Sequence, residues 1–305
     1  MKIFFYILPA IMSLLISTNV GALDAKDKLT DKISAFKDGT INAFSGQLSE
    51  SISSFAQENF ESMKYLDFSL DLQEKLKPTF SIMSVNEIMK IDSGTIFNQT
   101  SLNTHDSDQT LNFGIGSRKL LNNNTLILGA NAFYDHQFSE NHQRIGAGAE
   151  AITSIFDVRA NYYNALSGRK TNDSGTIERA MDGWDLRADY HLPIEQDVNL
   201  FVSAFEFENP ESASSYKETG NKYGLDAKLG NFVLEGGYQD DNQANDYWFG
   251  NISYVVNFGS EDKNNTSSKS KSLTDVSDQL YQPVKRENKI RVVKIDASGV
   301  VVGGF

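Results

Sequence analysis

The chain has 305 residues, a formal net charge of -12 and no cysteine. An acidic balance of this kind argues against nucleic acid as a partner, because phosphate binding needs a basic face. Without cysteine there is no thiol catalysis and no thiolate metal site.

The N-terminus reads as an export signal. Met1-Lys2 supplies a minimal positive end, an apolar run follows from Ile3 to Ile16 around Pro9, and small residues stand at Val20 and Ala22. Residues 1–22 are therefore expected to be a signal peptide cut after Ala22. The run is shorter than the ~20 residues a spanning helix needs. No later stretch is apolar for that length, so the mature chain is expected to hold no transmembrane helix.

From 23 to 64 the pattern is helical. Leu29, Ile33, Phe36, Phe44, Leu48, Ile52 and Phe55 recur mostly three or four residues apart, with polar residues between them. One narrow apolar stripe forms no core by itself. It calls for self-association with a second copy, for the rim of another domain, or for a membrane surface, and the sequence leaves all three open.

Near Tyr65 the period changes from 3.6 to 2 and stays so to Phe258. Leu66, Phe68, Leu70 and Leu72 alternate with Asp67, Ser69 and Asp71, and Trp184, Leu186, Ala188 and Tyr190 alternate with Asp185, Arg187, Asp189 and His191. About twelve such segments start near Tyr65, Thr79, Gly94, Gln109, Thr125, His142, Phe156, Gly183, Val198, Asn221, Phe232 and Asp246. Each is roughly ten residues long, the length with which a tilted strand crosses a bilayer.

Alternation by itself fits a soluble sandwich as well as a membrane barrel. Three features favour the barrel. The first is the signal peptide. The second is loop parity: tight connections at Asn122–Asn124, Ser154-Ile155, Pro193–Asp197 and Gly230-Asn231 alternate with longer polar ones such as Ser167–Asp182 and Asn209–Gly220. The third is a set of aromatics near segment ends, Tyr65, Trp184, Trp248 and Phe258 among them, expected to form interfacial girdles. The fold class is thus an all-β transmembrane barrel of about twelve antiparallel strands over 65–258, preceded by a periplasmic amphipathic helical segment. One strand fits poorly, because Glu206 and Glu208 continue the apolar phase of Val198, Leu200, Val202 and Ala204. Either a bulge resets the register there or the strand has already left the membrane.

After Phe258, Gly259–Lys271 reads as a flexible linker. Ser272–Tyr281 suggests a short helix, and Ile290–Ile295 and Val300–Val302 suggest short strands around an Asp296–Gly299 turn. Residues 259–305, extended, span on the order of 150 Å. A membrane with headgroups is ~40–45 Å thick. The tail is long enough to thread or plug a pore.

Five blocks in the centre occur in a telling order: LNFGIGSR (Leu111–Arg118), GANAFYDHQF (Gly129–Phe138), RIGAGAE (Arg144–Glu150), NYYNALSG (Asn161–Gly168) and ERAMDGWDLRADYHLP (Glu178–Pro193). Together they resemble the translocator β-domain of intimin and invasin, the inverse autotransporters. IFNQTSLNTHD (Ile96–Asp106) looks like the strand before them, and PVKRENKI (Pro283–Ile290) looks like the segment that leads to the passenger. The resemblance implies a twelve-stranded barrel in the outer membrane of a Gram-negative-type cell, with the N-terminus in the periplasm and the chain after the last strand running out through the lumen. The chain ends at Phe305, which leaves no room for a ~100-residue Ig-like domain after the linker. The expected function is a translocator and anchor that exports or displays a short C-terminal segment without an adhesive passenger. The alternative is a passenger-less structural barrel or small porin-like channel. Outer-membrane lipid is the expected surrounding. Periplasmic chaperones and the barrel-assembly machinery are the expected partners for insertion.

Candidate residues follow the same frame. Arg118, Arg144, Glu150, Arg159, Asp185, Arg187 and Asp189 are expected to line the lumen, to pair across strands and, by the resemblance, to meet the threaded chain. Gly114, Gly116, Gly146 and Gly148 lie on that same phase and are expected to make room for a lumen segment. Asp135, His136 and Ser139 imitate a hydrolase set, but adjacent strand residues face opposite sides, so no catalytic site is expected. His142 lacks partners at metal-ligand spacing, and neither a metal nor a cofactor is expected.

Overall fold

A computed structural model describes residues 61–74, 77–105, 108–172, 175–194, 196–211, 216–243, 247–258 and 272–295, and the backbone at 301–304. The expected signal peptide, all but the last residues of the expected helical segment, and the linker 259–271 lie outside the described residues.

Sixteen strands are described: β1 (Met63–Gln73), β2 (Thr79–Ile91), β3 (Gly94–His105), β4 (Asp108–Leu121), β5 (Leu126–Gln137), β6 (His142–Thr153), β7 (Phe156–Ala165), β8 (Lys170–Thr171), β9 (Ile177–Ala180), β10 (Asp182–His191), β11 (Asp197–Glu208), β12 (Lys217–Leu229), β13 (Phe232–Asp241), β14 (Tyr247–Asn257), β15 (Val292–Ile295) and β16 (Val301–Gly304). Twelve of them close a barrel in the order β1-β14-β13-β12-β11-β10-β7-β6-β5-β4-β3-β2. Every neighbour is antiparallel. The ring closes where Tyr65 pairs with Asn257 and Gln73 with Phe249. Closure leaves no barrel edge with unpaired backbone groups, the condition for strands to cross hydrocarbon. No helix among the described residues is long and apolar enough to cross a membrane.

The two ends of the barrel differ. Connections at one end, the turn end, are short. Gly230-Asn231 joins β12 to β13 with Gly230 at φ 63°, a conformation glycine reaches without steric cost. Asn122, Asn123 and Asn124 all take positive φ between β4 and β5. Asparagine tolerates that region better than most residues. At the other, loop end, the connection from β7 to β10 is long enough to carry β8 and β9.

The interior and exterior are inverted relative to a soluble protein. Arg118, Arg144 and Asp135 are fully buried, while Phe80 is 62% and Tyr162 57% exposed. Ile115, Leu128, Val202 and Tyr223 also face outward and exposed. A contiguous apolar exterior of this extent marks a surface meant for lipid.

Glu206 and Glu208 need no bulge. β11 pairs with β10 and β12 in unbroken register, and both carboxylates sit at its loop end, 2.8 and 3.4 Å from Lys217 Nζ. The expected helix at Ser272–Tyr281 shrinks to a 3-10 turn at Ser277–Gln279. The segment does not continue as a helix because it spends its backbone groups on the barrel instead: Val276 N–H donates to Asn124 O at 2.9 Å, and Thr274 N–H to Ser154 Oγ at 2.9 Å.

Candidate functional site

Residues 272–295 run up the inside of the barrel. They enter at the turn end beside Asn124 and Ser154, and they leave at the loop end, where Val292–Ile295 pairs with Ile177–Ala180. The lumen and this extended segment together form the candidate site.

The segment is gripped by its backbone. Arg118 Nη1 donates to the Leu280 carbonyl at 2.8 Å, Asn161 Nδ2 to that of Lys285 at 3.1 Å, Arg144 Nη2 to that of Glu287 at 2.6 Å, and Asn112 Nδ2 to that of Asn288 at 2.9 Å. Gln99 acts like a facing peptide group. Its Oε1 accepts from Val284 N–H at 2.7 Å, while its Nε2 donates to Val284 O at 3.3 Å. The Tyr163 hydroxyl accepts from Glu287 N–H at 2.8 Å. Side chains on the wall thus satisfy peptide groups of an extended segment that, among the described residues, has no neighbouring strand there to pair with.

Charges lock the middle of the segment. Asp135 takes Arg144 at 2.8 Å and Arg286 at 2.7 Å, and all three side chains are 1% exposed or less. A second chain of pairs runs across the wall from strand to strand. Arg118 meets Glu150 at 2.6 Å, and Glu150 meets Arg159 at 3.7 Å. Arg159 meets Asp157 at 3.0 Å and Asp189 at 3.1 Å. Asp189 also holds Arg187 at 2.8 Å and Lys285 of the segment at 3.0 Å. Arg187 continues to Glu235 at 3.0 Å and Asp226 at 3.4 Å. At the loop end Arg291 pairs with Glu287 at 3.0 Å and with Glu218. Buried charges persist only where partners and hydrogen bonds offset desolvation, and here Asp135, Glu150, Arg159 and Asp189 each meet two or more opposite charges. Aromatic faces add to this, with Arg286 4.2 Å from the Phe133 ring centre, Arg118 4.7 Å from Phe97 and Arg187 3.8 Å from Phe201.

Apolar clusters close both mouths. At the turn end Val276 and Leu280 pack with Leu120, Ile127 and Ile152. At the loop end Val293 packs with Tyr163, Met181, Phe205 and Phe207, and Ile290 and Val292 pack with Ala165 and Ala180. Halfway up, Val284 and Tyr281 join Val85, Phe97, Phe133 and Tyr65.

Arg118, Arg144, Glu150, Arg159, Asp185, Arg187 and Asp189 all face the lumen. Arg118 and Arg144 touch the segment's backbone and Asp189 its Lys285, whereas Asp185 serves Asn161 and Tyr163. Trp184 and Trp248 face outward at the loop end, where Trp184 lies beside Tyr162 and Trp248 stands 5.1 Å from Tyr238. Phe258, on the outward phase at the turn end, packs with Tyr254, Val256, Met63 and Leu66. Tyr65 is a correction: it shares the phase of Asp67 and Asp71, so it points inward and packs against the lumen cluster around Val284. A Cβ on Gly114 would lie 2.3 Å from the Phe133 ring and one on Gly116 2.3 Å from the Phe97 ring, so these two make room for the aromatic seats of arginines. Of the four, Gly146 approaches the segment itself, with Arg286 Nη2 3.3 Å from the site of its absent Cβ.

Asp135 and His136 face opposite sides. Asp135 is committed to arginines, while His136 lies in an outward aromatic row with Phe138 at 4.8 Å. His142 bonds Ser167 at 3.2 Å and lies 3.7 Å from Glu178. That imidazole, with Asn172 and Lys294, holds the Glu178 carboxyl below its usual range against the opposing effect of burial. Among the described residues no group of three His, Cys, Asp or Glu is placed to hold a metal. The central role of Asp135, Gln99, Asn112 and Asn161 was missed from sequence. Their one signal is phase, since each falls on the polar side of its strand.

Comparison with known proteins agrees with this geometry. The family model described as "Inverse autotransporter, beta-domain" matches residues 16–288. The chain is 36% identical to intimin of Citrobacter freundii over 99 residues, 32% of this chain and 10% of intimin. It is 34% identical to invasin of Yersinia enterocolitica over 103 residues, 33% of this chain and 12% of invasin. An attaching and effacing protein homolog of Escherichia coli (strain K12) is 34% identical over 115 residues, 37% of this chain and 39% of that protein. The chain therefore matches well under half the length of these relatives. Among solved structures, a chain from work on the in-meso crystallization of membrane proteins aligns with a TM-score of 0.65 at 20% identity, covering 75% of this chain and 99% of that one. That likeness concerns the fold. A match over most of the sequence, a closed twelve-stranded barrel and an apolar exterior converge on one conclusion: this chain belongs to the inverse autotransporter β-domain family and is an outer-membrane barrel.

Proposed function

We propose that this barrel carries its own C-terminal segment from the periplasm to the cell surface and then keeps that segment in the lumen as anchor and plug. The single observation that carries the reading is the extended run 272–295, bound through its peptide groups by side chains from successive strands. Recognition of peptide groups does not depend on side-chain identity, so the same wall serves a moving chain and a stopped one. The ion pairs at Lys285, Arg286 and Arg291 fix where it stops, and the apolar mouths seal around it. In this reading the turn end lies in the periplasm and the loop end outside. The lumen charges are structural and recognitive, with no catalysis. Outer-membrane lipid surrounds the apolar face, and periplasmic chaperones and the barrel-assembly machinery deliver the chain.

Single cysteines test this cleanly, because the chain has none of its own. On intact cells a membrane-impermeant maleimide is expected to label Lys294→Cys and to spare Ser272→Cys until the outer membrane is permeabilised. Labelling of Ser272→Cys alone, or of neither, sinks the proposal.

A further inference from the structure

The connection from β7 to β10 builds a small sheet of its own at the loop end, in the order β16-β15-β9-β8. Two of its strands, β8 and β9, come from the barrel's connection. The other two, β15 and β16, come from the chain that has passed through the lumen. Val292 pairs with Ala180, Val293 with Arg179, Lys294 with Glu178 and Ile295 with Ile177. One step nearer the lumen, Met181 N–H donates to Arg291 O at 3.0 Å.

The β8–β9 unit is tied to the barrel independently of its guest. Ala165 N–H donates to Asp182 Oδ1 at 2.7 Å and Leu166 N–H to Gln143 O at 2.9 Å. Ser167 Oγ meets His142 at 3.2 Å. Asn172 N–H donates to Thr176 O at 2.9 Å, closing the turn between the two strands. Arg169 and Arg179 both reach Glu211 of the next connection, at 2.7 and 3.3 Å. A strand fixed in this way with one edge open is a template for strand addition.

We propose that β9 is a capture strand: it takes the exported chain as it emerges, by strand addition, and makes its passage one-way. This rests on the threading proposed above. An extended chain passes a lumen in single file. Once Val292–Ile295 pairs with β9 and β16 folds back on β15, the emerged chain is two strands wide and part of a four-stranded sheet, at ~4.8 Å per strand. It cannot retract without breaking that ladder. The ligand class is an extended polypeptide, held by main-chain hydrogen bonds, with preference for β-branched residues such as Val292, Val293 and Ile295.

The test follows external labelling of Lys294→Cys over time after induction, in the full chain on intact cells. With Ile177→Pro, which removes a ladder donor from β9, labelling is expected to appear several-fold more slowly. With Ile177→Thr, which keeps the backbone donor and suits a strand, it is expected to keep the wild-type rate. Register is checked separately: Glu178→Cys with Lys294→Cys is expected to oxidise to a disulfide, and Glu178→Cys with Val292→Cys to do so roughly fivefold less, because the offset pair exceeds disulfide reach. Equal labelling rates for the Pro and Thr variants, or equal crosslinking of the two pairs, overturns capture. Absence of any external labelling in the parent Lys294→Cys chain would instead overturn the threading on which capture rests.

Discussion

The two mouths and the middle of the lumen hold the same segment by different physics. At the mouths Val276, Leu280, Ile290, Val292 and Val293 are packed among aliphatic and aromatic side chains. That attachment follows buried apolar area and tolerates small shifts. In the middle Arg286, Lys285 and the peptide groups meet partners within 2.6–3.4 Å. That attachment depends on register, because a slip of one residue would strand buried charges. The difference teaches that apolar seals can pass a moving chain, while the ion pairs tell one position of the chain from another.

The comparison can be broken most directly at Asp135. Asp135→Ala leaves Arg144 and Arg286 buried without their shared carboxylate. A loss of about 3–5 kcal/mol is expected from removing one side of a buried pair. It would be read as a lower temperature for the shift from compact to unfolded mobility on gels. If the shift temperature is unchanged, the middle is not an ionic lock. The mouth is probed by Ile127→Ala, which opens a cavity against Val276 and Ile152. The expected cost is about 2–4 kcal/mol. Small-ion conductance in planar bilayers should rise while labelling of Lys294→Cys stays outside. Gly114→Ala is milder in chemistry but presses a methyl into the Phe133 ring that seats Arg286. About 1–3 kcal/mol of destabilisation is expected, and a stabilised variant would show that the ring has room to move.

Acidification sharpens the comparison at the loop end. The Glu178 carboxyl is held below its ordinary range. Its contribution is therefore full above the unfolded carboxyl's pKa of ~4.3 and is lost as pH falls through the lower folded value. Protection of the β9 amides from hydrogen exchange should fall below about pH 4, and Glu178→Gln should remove that dependence. The smallest effect is expected from Lys217→Ala. Its partners Glu206 and Glu208 lie at the exposed rim, and no measurable change in stability is anticipated.

Much of this was legible residue by residue. A period of two exposes phase, and phase assigned Arg118, Arg144, Glu150, Arg159 and Asp189 to the lumen and Trp184 and Trp248 to the exterior. At Tyr65 phase outranks aromatic character: the ring follows Asp67 and Asp71 inward. Partners were out of reach. Nothing in the sequence couples Gln99 to Val284 or Asp135 to Arg286, because those contacts join chain positions more than 150 residues apart.

The sequence by itself determined the barrel strands, their two faces and their number, because strand geometry repeats every two residues and hydrocarbon and a polar lumen select opposite side chains. Only the tertiary structure decided that the tail fills the lumen, that Asp135 is its lock and that β9 receives it. Those facts depend on which distant residues closure of the ring brings to one level, and local pattern carries no record of that.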